Sequence, residues 1–156
     1  MPSAGTDRVV RSPDNEAVVL AMWADYDRDG LTGILAWAAE DAEWRPYSAQ
    51  QSVFRSTAAY REYVEQTIAK GVAVDSIRLG IWSHGEVVAV RGRLRVRQGG
   101  IVDDSRMYWV HRVRDGKVAW TGSSPDLGAL LAAVGLPGRG ITNEAFMAMH
   151  SPAPPG

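Results

Sequence analysis

Apolar residues first recur at Val19, Met22, Trp23 and Tyr26, three to four positions apart, which is the spacing of a helix with one buried stripe. Ser12-Pro13 supplies its start, with Ser as N-cap and Pro at the first helical position, and Asp29-Gly30 breaks it after about Arg28. The pattern predicts a second helix over Leu31 to Ala39, burying Leu31, Ile34, Leu35 and Ala38, then a short strand from Asp41 to Pro46. Tyr47 to Arg55 reads as a polar loop over a pocket mouth. Thr57 to Lys70 reads as a third helix, with Tyr60, Val64, Thr67 and Ile68 on one side and Gly71 ending it.

The period then changes from helical to two. Strands are predicted over Val72–Ser83, Glu86–Gln98, Ile101–Arg114 and Lys117–Ser123, joined by turns at His84-Gly85, Gly99-Gly100 and Asp115-Gly116. Such short connections give an antiparallel meander. Ser124-Pro125-Asp126 caps a last helix over Leu127–Val134, closed by Gly135 and Pro137, and Thr142 to His150 has the pattern for another turn or two. Helices first and a meander afterwards describe an α+β fold: a curved antiparallel sheet forming a cone against three N-terminal helices, with a short C-terminal helix. The expected organisation is a flexible segment 1–12, a cone domain 13–136 and a partly disordered extension 137–156 ending in SPAPPG.

One strand is chemically unusual. In VVAVRGRLRVRQ, alternation puts Arg91, Arg93, Arg95 and Arg97 on one face and Val88, Val90, Gly92, Leu94 and Val96 on the other. Pattern alone makes the valine face the core and turns the arginines to solvent or to a dimer interface.

Composition narrows the function classes. Seventeen basic against 18 acidic residues leave a net charge of −1, so no overall field recruits nucleic acid or an anionic membrane. Cysteine is absent, removing disulfides, thiolate nucleophiles and zinc–thiolate sites together, and the three histidines are too scattered for a metal site. The N-terminal stretch has no apolar core behind basic residues and no apolar run reaches membrane-spanning length, so a cytoplasmic location is the default expectation. Six tryptophans and five tyrosines against two phenylalanines suit an amphipathic cavity lining or an interface.

Two stretches, LTGILAWAAEDAEW (Leu31–Trp44) and YWVHRVRDGKVAW (Tyr108–Trp120), carry a family resemblance. They resemble the SnoaL-like members of the nuclear transport factor 2-like (cystatin-like α+β) superfamily, which includes polyketide cyclases, limonene-type epoxide hydrolases and ketosteroid isomerases as well as binding modules. The resemblance spans about Pro13 to Leu136. It implies a closed pocket for a small molecule, usually without a cofactor. The groups of the two best-known chemistries are largely missing. The general base, tyrosine and second acid of the ketosteroid isomerases align with Pro46, Met22 and approximately Trp109. Of the epoxide hydrolases' Asp-Arg-Asp group, Arg91 matches the arginine, Arg93 replaces one acid, and Asp126 lies one residue beyond the other.

The candidate site follows. The resemblance turns Arg91 and Arg93 into the pocket, where they bind or polarise oxygen. His111 shares a face with Trp109 and Val113 and is the expected acid/base, with Asp126 orienting it. Trp23, Tyr26, Trp44, Tyr60 and Trp109 shape the cavity, and Ser123, Tyr26 or Tyr108 is available to bond a carbonyl. Two readings stay open: a cofactor-independent cyclase, isomerase or hydro-lyase acting on a hydrophobic oxygenated substrate, or a non-catalytic ligand-binding or interaction module. A homodimer is expected through the convex sheet face, burying Trp120 and Tyr108.

Overall fold

The computed structural model describes residues 9–47 and 52–148. Its elements, in order, are α1 (Pro13–Asp29), α2 (Leu31–Leu35), β1 (Ala38–Arg45), α3 (Thr57–Ala69), β2 (Ala73–His84), β3 (Val87–Gln98), β4 (Ile101–Arg114), β5 (Lys117–Ser124), α4 (Leu127–Ala133) and α5 (Asn143–Ala148). His150 and the SPAPPG tail fall outside the described residues.

Local chemistry explains most boundaries. The Ser12 hydroxyl accepts from the backbone N–H of Asn15, Pro13 opens α1, and Gly30 ends it at φ 76°. Helix α2 stops at Leu35, four residues short of the expectation. Ala38 pairs with Val118 of β5, and that strand pairing overrides the helix preference of Ala38 and Ala39. Asp115 (φ 54°) and Gly116 (φ 76°) make the two-residue turn their identities call for. The first hairpin turns at Gly85-Glu86 rather than His84-Gly85, because His84 stays in the ladder opposite Val87. In α3, Tyr60 and Val64 are buried as expected, but Ile68 is 51% exposed.

The five strands form one curved, unclosed sheet in the order β1-β5-β4-β3-β2. Strands β2 to β5 are the antiparallel meander, and β1 joins its edge in parallel with β5. Register shifts interrupt β2 between Arg78 and Gly80, β4 between Arg112 and Val113, and β1 between Ala38 and Glu43. Irregularities of this kind bend strands and strengthen their twist.

Two cores flank the sheet. On the inner face, α1, α2 and α3 pack with Val19, Met22, Trp23, Trp44, Tyr60, Val88, Val90 and Trp109. On the outer face, Trp82, Val110 and Trp120 pack under Leu127, Leu131, Leu136, Ile141 and Phe146. The Trp82 indole donates to the carbonyl of Met147 at 3.0 Å and the Arg112 guanidinium to that of Val134 at 2.8 Å. The chain's own C-terminal segment thus covers the aromatic part of the face expected to pair two copies. Among the described residues, no helix is long and apolar enough to cross a membrane.

Candidate functional site

Alternation along the inner face decides what reaches the cavity. In β4, Trp109 and His111 point the same way, opposite Val90 and Val88 of β3 and opposite Ser123 and Thr121 of β5. Thr121 stands beside Trp44 of β1. These strands form the floor of a cavity of about 510 Å³. Trp23 and Tyr26 of α1 and Tyr60 and Tyr63 of α3 form its walls. That volume suits a ligand of a few fused rings.

The walls are ordered by ring packing. Trp44 and Tyr60 stack at 4.3 Å and an 11° interplanar angle, while Trp23 meets Trp109 edge-on at 5.3 Å and Tyr26 at 5.1 Å. Some of the polar handles around the cavity are used internally. The Trp44 indole donates to Thr57 Oγ1 at 3.2 Å, the Tyr26 hydroxyl donates to the Val74 carbonyl at 2.9 Å, and Ser123 Oγ accepts from the Tyr47 N–H at 2.8 Å. Burial raises the pKa of both Tyr26 and Tyr60, so neither is a phenolate at neutral pH.

Two polar atoms are fully buried and unsatisfied. His111 is 1% exposed, and its Nδ1 lies 3.0 Å from Thr121 Oγ1. Its Nε2 and the Nε1 of Trp23 are buried without a hydrogen-bond partner. The two rings are 6.0 Å apart, and both line the cavity. Burial pushes the imidazole pKa down to about 3, so the ring is neutral at physiological pH. A buried unsatisfied N–H or ring nitrogen costs about 1–3 kcal/mol, and native folds keep few of them.

The arginine ladder takes the orientation that bare alternation gives. Arg91, Arg93, Arg95 and Arg97 are exposed on the outer face, opposite in parity to Val88 and Val90. Arg93 and Arg95 share Asp104, at 2.9 and 3.2 Å, Arg97 pairs with Asp75, and Arg91 lies 5.8 Å from the Trp82 ring. Arg91 and Arg93 therefore do not converge with His111. β3 pairs with β4 in continuous register, with no bulge to switch faces, so the match to a pocket arginine fails on parity. Asp126 is also elsewhere: it is the exposed N-cap of α4, accepting from Ala129 N, and Thr121 takes the place beside His111. Tyr108 lies on the outer face with Arg91. Of the sequence candidates, the cavity gathers His111, Trp23, Tyr26, Trp44, Tyr60, Trp109 and Ser123.

Strand alternation in VAWTG turns Thr121 towards the helices, where it lines the cavity, while sequence reasoning missed Lys70 as a lining residue. Only the packing of α3 against the sheet brings Lys70 to the mouth.

Comparison with known proteins agrees with this geometry. The SnoaL-like domain family matches residues 19–121. No curated protein matches the chain. Among solved structures, the chain is similar to an NTF2-like protein of unknown function from Burkholderia pseudomallei, with a TM-score of 0.64 and 16% identity over 78% of this chain and 97% of that one. It is similar to TerC, co-crystallised with polyporic acid, with a TM-score of 0.63 and 20% identity over 76% and 96%. It also resembles a proposed polyketide cyclase from Xanthomonas campestris pv. campestris, with a TM-score of 0.62 and 16% identity over 78% and 96%. At these identities the solved structures speak for the fold, while the family match covers most of the chain. The protein belongs to the SnoaL-like family.

Proposed function

We propose that the protein binds a flat, hydrophobic small molecule carrying carbonyl or hydroxyl oxygens and acts on it by moving or polarising a proton at His111. The observation that carries this reading is the pair of unpartnered nitrogens, His111 Nε2 and Trp23 Nε1, on one aromatic-walled cavity. A ligand oxygen set between them relieves both. Trp23 Nε1–H only donates. His111 Nε2 donates when Nδ1 accepts the Thr121 hydroxyl proton, and accepts when Nδ1–H donates to Thr121.

A neutral imidazole suits polarisation of a carbonyl: a preorganised N–H in a dry site stabilises negative charge developing on that oxygen. As a base the buried imidazole is weak, but an anionic centre forming beside it favours the protonated ring. Cyclisation, isomerisation and (de)hydration at a carbonyl all need such a group, and none calls for a metal or nucleotide. Among the described residues no Asp or Glu lines the cavity, so the chemistry rests on His111 and the ligand's own groups. Binding without turnover is the second reading, favoured by that missing carboxylate.

Native mass spectrometry of the protein after incubation with a crude metabolite extract tests the proposal. Retention of a polycyclic oxygenated compound, lost in both Trp23→Phe and His111→Phe, supports it. Retention unaffected by either change contradicts it.

A further inference from the structure

The cavity is electrostatically one-sided, and its mouth carries a cation. Of the described residues lining it, Lys70 alone is charged at neutral pH, and the other polar lining includes Gln98, Ser76, Thr67 and the His111–Trp23 pair. Lys70 sits at the C-cap of α3, exposed, and among the described residues its ammonium has no ion-pair partner. Several other cations are held away from the cavity: Arg93, Arg95, Arg97, Arg45, Arg55, Arg78 and Arg114 all hold carboxylates. Trp23 Nε1–H adds a buried donor, and among the described residues no lining carboxylate offsets either group.

Resting on the cavity reading above, we infer that the ligand is an organic anion: an aromatic or polycyclic acid whose charged end lies at Lys70 and whose neutral oxygen reaches the His111–Trp23 pair. The chemistry selects this class. An apolar, aromatic-walled interior accepts the ring system, and a cation at a wet rim accepts a carboxylate or an acidic enol without burying the charge. A cationic or uncharged ligand leaves Lys70 idle. A dianion with charges at both ends would put one of them against Trp109 and Trp44 in the interior, at high desolvation cost. Lys70 is thus a specificity determinant rather than part of the reacting machinery.

A matched pair of probes tests this: anthraquinone-2-carboxylate and its carboxamide, titrated into the protein at low ionic strength with tryptophan fluorescence as readout, since Trp23, Trp44 and Trp109 line the site. The wild-type chain is expected to bind the carboxylate about tenfold more tightly than the amide, a preference reduced by added salt. Lys70→Gln is expected to bring the two affinities together, and Lys70→Arg to keep them apart. Equal binding of both probes by the wild type, or a preference that survives Lys70→Gln, overturns the anion assignment and leaves the cavity reading standing. Failure of the wild type to bind either probe overturns both.

Discussion

His111 Nδ1 lies 3.0 Å from Thr121 Oγ1, across the β4–β5 ladder and, among the described residues, with no carboxylate behind it. That single neutral partner separates this site from a histidine oriented by an aspartate. With burial as the cause, the imidazole stays unprotonated down to a pKa of about 3. The unfolded chain titrates at about 6.5 and so binds more protons at every pH between the two values. Stability from this residue is complete above about pH 6.5 and falls by about 1.4 kcal/mol per unit as pH drops towards 3. Urea melts from pH 7 to pH 4 are expected to show this slope and to show it flattened in His111→Phe. An equal slope in both proteins would place the titration elsewhere.

Gly92 is fixed by packing. A Cβ there would stand 1.8 Å from the carbonyl oxygen of Ile77 and 3.1 Å from the Trp109 ring. The backbone cannot yield cheaply, so Gly92→Ala is expected to cost about 1–3 kcal/mol or more and to lower Tm by roughly 3–10 °C. Differential scanning calorimetry checks this, and an unchanged Tm would contradict the close β2–β3 approach beneath the cavity.

The outer-face core makes the C-terminal segment structural. Phe146 is 0% exposed, packed in the cluster that holds Trp82 and Trp120. Phe146→Ala is expected to cost about 3–5 kcal/mol and to make the protein self-associate as the outer face is uncovered. Sedimentation velocity at micromolar concentration is expected to give a monomer for the wild type and larger species for the variant. A wild-type dimer would return the interface to this sheet face.

How far the sequence revealed the site is best seen residue by residue. Trp23 and Tyr26 share a helical stripe, and Trp109 and His111 share a strand face. Those periods placed them because each depends only on local geometry. Trp44 was reached through the family resemblance and its short strand. Arg91 shows the opposite: alternation alone turned it to the outer face, and the resemblance, overruling parity, turned it inward. The resemblance offers Asp126, one residue beyond the expected second acid, to orient His111, but a helix N-terminus makes a nearer claim on its carboxylate. Lys70 and the C-terminal cover were invisible because nothing within one element encodes which other element it meets.

Arg91→Met is therefore expected to leave ligand affinity within about twofold of wild type, because the guanidinium lies over Trp82 on the far side of the sheet. Titration of any identified ligand checks this. A loss of tenfold or more would require Arg91 to act through the sheet.

Whether a ligand oxygen joins His111 Nε2 and Trp23 Nε1 is decided by isothermal titration of the wild type, Trp23→Phe and His111→Phe with anthraquinone and with anthracene, which differ in their oxygens. The wild type is expected to prefer anthraquinone by about tenfold or more, and each variant to lose most of that preference while still binding anthracene, since one hydrogen bond to a buried donor is worth about 1–3 kcal/mol. A preference that is the same in all three proteins, or absent from the wild type, would contradict the account.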